Sequence, residues 1–316
     1  MIEVEGLSKR YGPVEAIRNL NFRIEQGDVM GFLGPNGAGK TTTMRILTGY
    51  MPATEGVARV AGHDVFDEPR EVKKRIGYLP ERPPLYGYMI VEGYLEHIAE
   101  LKGISRAQRK DAVERAISRC ALEEVRSRLV SHLSKGYQQR LGIAQAIIHD
   151  PQVLVLDEPT IGLDPRQIVE IREMIRGFAG AHTIVLSSHI LSEVSQICNK
   201  VIIINRGEIV AADTIDQLRK SITAAERVRV RVADKKPEIV DILKALPGVQ
   251  SVVEDGAAFI VDTLPGSKAV EVIARTVLEK EWGFIEVARI EIGIEDVFLK
   301  LIEASEAKRA EAAQES

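Results

Sequence analysis

The run Gly34-Pro35-Asn36-Gly37-Ala38-Gly39-Lys40-Thr41 fits the spacing G-x-x-x-x-G-K-[ST]. Glycines so placed leave backbone N–H groups free to surround the β and γ phosphates of a nucleotide, and a helix N-terminus adds its positive dipole end. Lys40 supplies charge against phosphate, the Thr41 hydroxyl is a ligand for Mg²⁺, and Thr42 follows in the first helical turn. A second chemical run lies far along the chain, where Val153 to Leu156 lead into Asp157-Glu158-Pro159-Thr160. A buried strand there delivers carboxylates to its C-terminal end, where ligands sit in open α/β sheets. Asp157 is placed to hold Mg²⁺ through water, and Glu158 to polarise an attacking water as general base. Between the two runs, Leu133-Ser134-Lys135-Gly136-Tyr137 opens a helix from Gln138 to His149, striped by Leu141, Ala144, Ile147 and Ile148. Ser134 and Gly136 therefore stand at a helix N-terminus, an anion site by geometry; alone, the pattern is also an ordinary cap.

The elements that position these residues alternate as in a parallel α/β sheet. Val29 to Leu33 enters the glycine loop as a strand, and Thr41 to Leu47 leaves it as a helix. Ile76 to Leu79, Val153 to Asp157, Thr183 to Ser187 and Lys200 to Ile204 read as further buried strands. From about Ile90 to Ser131 strand signals vanish and the pattern is helical. After about Leu218 the character changes: Val228, Val230 and Val232 alternate with Arg227, Arg229 and Arg231. A helix, a hairpin turning at Asp255-Gly256, a second helix and the strand Phe284 to Ile290 follow, an order βαββαβ that predicts a ferredoxin-like domain. Ile294, Val297, Phe298 and Leu301 mark a last amphipathic helix, and the segment beyond Ala304 has no apolar face.

Composition narrows the class. The chain has 316 residues, 45% hydrophobic and 28% charged, enough for one large or two medium domains. A net charge of -4 and a pI near 6.0 give no general attraction to nucleic acid or anionic membranes. Cys120 and Cys198 lack partners at metal spacing and read as reduced thiols. Met1 to Gly6 show neither the basic segment nor the apolar run expected of a signal peptide, and no apolar run approaches the roughly 18 to 20 residues of a membrane span. If a membrane process is served, another chain does the spanning.

A Ser-x-Gly helix start ahead of an Asp-Glu strand, together with the phosphate loop, resembles the ATP-binding cassette ATPases over about residues 1 to 220. The resemblance implies a P-loop cassette with a mixed sheet core and a helical subdomain at about 85 to 135, followed by an accessory domain at 221 to 303 and a flexible tail at 304 to 316. It implies ATP and Mg²⁺, with Ser134 and Gly136 of one copy closing over ATP held by another. Tyr11, in Ser8-Lys9-Arg10-Tyr11-Gly12, matches the aromatic that stacks on adenine. Asp164, in Gly162-Leu163-Asp164, matches a loop that touches the partner subunit, and His189 a residue that contacts the γ phosphate. The segment from Arg82 through Tyr94 matches the surface that receives a membrane subunit. The C-terminal domain resembles that of drug-resistance, sodium-export and gliding-motility ATPases. An exporter ATPase is thus implied, at the cytoplasmic face of the membrane, paired with a second copy or a paralogue and with a separately encoded permease. The alternative is a soluble cassette ATPase acting on ribosomes or nucleic acid. Such proteins carry two cassettes or a long coiled-coil insertion, and neither is visible here; the arginine row lacks the aromatic pairs that stack RNA bases.

Two motifs depart from the family pattern. Lys135 and Tyr137 replace the usual Gly and Gln of the signature, and Glu81 replaces a glutamine after the second core strand. Glu81 keeps the side-chain length and an oxygen for Mg²⁺ but adds negative charge beside the phosphates. Glu81→Gln is expected to retain ATPase activity in a phosphate-release assay. Complete loss would show that the carboxylate itself is required.

Overall fold

A computed structural model describes residues 1–222, 226–264, 266–290, 298, 301–303 and 305–306. The chain divides into two compact units, Met1–Thr214 with the described residues from Leu301 onward, and Ile215–Lys300. The first unit begins β1 (Ile2–Tyr11), β2 (Val14–Ile24), β3 (Val29–Leu33), α1 (Lys40–Leu47), β4 (Glu55–Val60), β5 (His63–Asp64), α2 (Pro69–Arg75) and β6 (Ile76–Leu79). It continues α3 (Val91–Leu101), α4 (Arg106–Arg119), α5 (Lys135–Ile147), β7 (Val153–Asp157), α6 (Pro165–Arg176), β8 (Thr183–Ser188), α7 (Leu191–Ile197), β9 (Lys200–Asn205) and β10 (Glu208–Thr214).

Six strands form one sheet in the order β10-β9-β3-β8-β7-β6. All neighbours are parallel except β10, which runs antiparallel to β9. Every residue of β3, β7 and β8 is buried. Strands buried on both faces read as continuous apolar runs, as Val153-Leu154-Val155-Leu156 does. The same parallel registers bring the C-terminal ends of β3, β7 and β8 to one edge. A second sheet, β2-β1-β4-β5, is antiparallel. It shares a core with the first: Ile2, Leu7 and Leu20 pack in one cluster with Phe32, Met44, Val155 and Ile202. The strand pattern given above does not contain this sheet. Its polar positions are many (Arg18, Asn19, Asn21 and Arg23 lie in β2), and its register with β1 is interrupted by bulges.

Between β6 and β7, α3 and α4 form the helical region, with Tyr94 and Cys120 fully buried. Ser134 caps α5, its hydroxyl accepting from the Tyr137 N–H. Helix α5 starts three residues earlier than the apolar stripe indicates, at Lys135.

The second unit runs α8 (Ile215–Ile222), β11 (Glu226–Val232), α9 (Ile239–Lys244), β12 (Val249–Asp255), β13 (Ala258–Thr263), α10 (Ala269–Glu279) and β14 (Phe284–Ile290). Its sheet order is β12-β13-β11-β14, with antiparallel pairs throughout. Val228, Val230 and Val232 face a core built with Ile239, Leu243, Ile273 and Trp282. On the opposite face Arg227 pairs with Asp262 at 2.9 Å and Arg231 with Glu286 at 3.8 Å. These cross-strand pairs make the arginine row a solvated, charge-matched face. The last amphipathic helix, marked by Ile294 and Val297, and the tail from 304 to 316 lie outside the described residues apart from isolated positions. Among the described residues no helix is long and apolar enough to cross a membrane.

Candidate active site

Strand β3 ends where the glycine loop begins, and the loop exists in this shape because side chains do not fit it. A Cβ on Gly34 would stand 2.2 Å from the Ile204 carbonyl oxygen, and one on Gly39 would stand 2.8 Å from that of Ala16. Gly39 also holds φ at 109°, a left-handed conformation that other residues rarely take, just before α1. No side chain caps α1, so its first N–H groups remain available to an anion. The Lys40 ammonium curls back over the loop, donating to the Gly34 carbonyl at 2.7 Å and the Pro35 carbonyl at 3.2 Å.

The acids arrive from β7. Glu158 Oε1 lies 3.5 Å from Lys40 Nζ, and the two side chains are only 8% and 6% exposed. His189, just past β8, places Nδ1 3.0 Å from Glu158 Oε2. The backbone of Glu158 has φ 48°, again left-handed. Asp157 Oδ1 accepts from the Thr41 hydroxyl at 3.2 Å and from the Ser187 hydroxyl at 2.6 Å. Its other oxygen is buried without a partner. Burial pushes the Asp157 carboxyl above its ordinary value of 3.8; the bonds from Ser187 and Thr41 oppose that push, while Glu158 and Glu81 add to it.

Asn36, Gly37, Ala38, Gly39, Lys40, Thr41 and Thr42 line a cleft of about 470 Å³ with Glu81, Glu158, Ala16 and Ile161. Gly34 through Thr42, Glu81, Asp157, Glu158 and His189 are therefore brought to one edge of the sheet. Four other candidates are not. Tyr11 ends β1, with its hydroxyl 3.1 Å from Met51 Sδ and the Lys9 ammonium 5.5 Å from its ring, and does not line the cleft. Ser134, Gly136 and Asp164 also lie off it, at the N-termini of α5 and α6. Asp164 caps α6 by accepting from the Gln167 N–H at 2.9 Å. Lys135 lies beside Gly162 of its own chain: a Cβ there would be 1.9 Å from the ammonium.

The structure adds residues to which no role was attached from sequence. Ser187 bridges Asp157 and Glu158, and Glu193 of α7 accepts from the Thr160 hydroxyl at 2.5 Å. The signal available for Ser187 was a hydroxyl at the end of an otherwise apolar strand. A larger groove, about 570 Å³, runs beside Tyr50 and Phe66 and contains none of the phosphate loop.

The residues suit a nucleotide with its cation. At Gly34 and Gly39 the loop has room only for backbone, the Lys40 ammonium lies over the loop carbonyls, and a buried carboxylate oxygen lacks a partner. Among the described residues no three His, Cys, Asp or Glu side chains are arranged to hold a metal by themselves. A cation here would draw on Thr41, Asp157 and phosphate oxygens.

Comparison with known proteins agrees with this geometry. Residues 17–161 match the family model described as ABC transporter. The bacitracin transport ATP-binding protein BcrA of Bacillus licheniformis is 40% identical over 70% of this chain and 72% of its own length. This chain belongs to the ATP-binding proteins of ABC transporters. The ABC ATPase assignment covers most of the molecule: the daunorubicin/doxorubicin resistance ATP-binding protein DrrA of Streptomyces peucetius is 34% identical over 88% of this chain and 86% of its own. A solved ATP-binding subunit of an ABC transporter superposes with a TM-score of 0.64 at 29% identity, covering 71% of this chain and 93% of that one. The chain is thus the ATP-binding, ATP-hydrolysing subunit of an ABC transporter, with the α/β cassette fold.

A raised carboxyl pKa means that the folded state holds its proton more tightly than the unfolded chain, so ionising Asp157 lowers stability as pH rises. Nucleotide-free Asp157→Asn is expected to show a higher urea midpoint than wild type, by a margin that widens between about pH 4 and about pH 7. A margin that is constant with pH, or reversed, would show that the charge is not what costs stability.

Proposed function

We propose that this ABC ATPase energises an exporter: two copies close head to tail over two ATP molecules, and hydrolysis reopens them against a separately encoded permease. The observation that carries the reading is the convergence of Lys40, Thr41, Asp157, Glu158 and His189 at one sheet edge. In the same chain the signature residues Ser134 and Gly136 stand off the cleft. The site is complete in phosphate-binding and acid groups but lacks the anion site at the start of α5, which a second copy supplies. Export is supported by the names of relatives that serve bacitracin transport and daunorubicin/doxorubicin resistance.

In this reading the backbone of Gly34 through Thr42 wraps the phosphates. The Lys40 ammonium exchanges the carbonyls of Gly34 and Pro35 for phosphate oxygens. Glu158 accepts the proton of the attacking water on a carboxylate oxygen, and His189, hydrogen-bonded to Glu158, faces the γ phosphate. Thr41, Asp157 and Glu81 would hold Mg²⁺, which would neutralise phosphate charge. Ser134 and the N–H groups at Gly136 of the second copy complete the phosphate shell. Asp164, from the loop after the catalytic acid, meets that copy nearby, and Tyr11 stacks on the adenine ring.

The permease surface is assigned to the segment after β6. Tyr86 stacks on Tyr88 with ring centroids 5.9 Å apart, and Tyr88 is 79% exposed. With Ile90 also exposed, these form an apolar patch that a membrane subunit would cover, holding the ATPase at the cytoplasmic face of the membrane. Action on ribosomes or nucleic acid is not favoured, because the relatives are transport proteins and the arginine row of β11 is largely paired within its own sheet.

Glu158→Gln removes the proton acceptor and keeps the shape of the side chain. The variant should lose about 10²- to 10⁴-fold in turnover and accumulate as an ATP-bound dimer, read by light scattering. A variant that stays monomeric with saturating ATP would contradict the dimer.

A further inference from the structure

The parallel register of β7 and β8 sets Asp157 directly beside Ser187. The Ser187 side chain is fully buried, and its hydroxyl makes two bonds. It donates to Asp157 Oδ1 at 2.6 Å and accepts the Glu158 backbone N–H at 2.9 Å. A serine hydroxyl has one proton and two lone pairs, and a carboxylate only accepts, so this pairing fixes which way the hydroxyl points. We infer that Ser187 is a positioning residue that aims the metal-facing carboxylate of Asp157 and the catalytic carboxylate of Glu158 through one hydroxyl.

Each half of that claim meets a need visible in the site. Glu158 occupies φ 48°, which a non-glycine residue holds only where its surroundings enforce it. Ser187 Oγ grips the N–H of that residue, so it helps to fix the turn that sends the side chain toward Lys40 and His189. Asp157 Oδ1 has two hydroxyl donors, Thr41 and Ser187, at 3.2 and 2.6 Å. The Thr41 hydroxyl can ligate a cation through a lone pair while its proton stays on Oδ1, but at 3.2 Å its bond is the looser of the two. The Ser187 bond is the shorter and comes from a fully buried side chain, so it fixes Oδ1, and with it the unpartnered Oδ2, whether or not Thr41 also ligates a cation. Partners behind a metal ligand orient it, and their removal typically lowers metal affinity or activity about 10- to 100-fold.

The inference rests on the roles of Asp157 and Glu158 proposed above. It is tested in the full chain with Ser187→Ala, Ser187→Thr and Ser187→Val, by measuring ATP binding in EDTA, the Mg²⁺ concentration for half-maximal hydrolysis, and kcat. Ala and Val should raise the Mg²⁺ requirement and lower kcat, each about 10-fold or more, while ATP binding in EDTA stays within about twofold of wild type. Thr keeps the hydroxyl and should stay within about threefold of wild type in all three. Ser187→Ala with wild-type Mg²⁺ dependence and kcat would overturn the inference. An equal loss of ATP binding in EDTA would also overturn it, since that marks general damage to the loop. If Ser187→Ala does not fold, Thr and Val decide: identical behaviour of the two overturns it. Wild-type hydrolysis that needs no Mg²⁺ would overturn the metal assignment beneath it, and that result involves no variant.

Discussion

A buried ammonium facing a buried carboxylate sets the terms for this molecule. Lys40 and Glu158 are both almost wholly enclosed, 3.5 Å apart. Removing two charges from water costs several kcal/mol per ion even after relaxation, and attraction at this distance offsets it only with further hydrogen bonds. Lys40 finds them on the carbonyls of its own loop, and Glu158 beside His189. A third buried charge, Asp157, is held by two hydroxyls with one oxygen unsatisfied. Such a cluster is costly in the absence of ligand and is suited to a polyanion with its cation, whose charges complement the same groups. Stability is held back at the site where binding restores it.

The rest of the first unit keeps that cluster dry and in register. Apolar strands β3, β7 and β8 end together, so the phosphate loop converges with the acids and His189 although it lies more than a hundred positions before them in sequence. Beyond the strand ends, cross-links within the chain tie the segments proposed to face a second copy. Arg140 of α5 bonds Glu170 of α6 at 2.6 Å, and a Cβ on Gly136 would stand 2.8 Å from the Gln167 side chain. Thr160 is bonded to Glu193 beyond His189. The start of α5, the loop of Asp164 and the histidine corner are thus braced against one another inside one chain.

How much of this was legible in the sequence depended on what each residue needs. The phosphate loop and Asp157-Glu158 were readable because their chemistry fixes residue type and spacing, and because apolar strands lead into them. The ferredoxin-like order was readable from the alternation of Val228, Val230 and Val232 and from the hairpin. The antiparallel sheet β2-β1-β4-β5 was not, since bulges and a solvated face break its period. Ser187 passed as one more strand residue: its meaning comes from lying beside Asp157, a neighbour thirty positions away that only sheet register supplies. Lys135 was legible only as a departure from the signature; that its ammonium lies beside Gly162 is a fact of the folded chain.

Each hydrolytic site is proposed to be composite, with the phosphate loop of one copy and the α5 start of another. Complementation between two inactive variants tests it most directly. Lys40→Ala spoils the phosphate loop and Ser134→Arg blocks the signature, so neither variant alone should hydrolyse ATP. Mixed in equal amounts they form dimers with one intact site, and hydrolysis should rise well above the sum of the two alone. Full activity of Ser134→Arg by itself, or a mixture no more active than its components, would contradict the composite site.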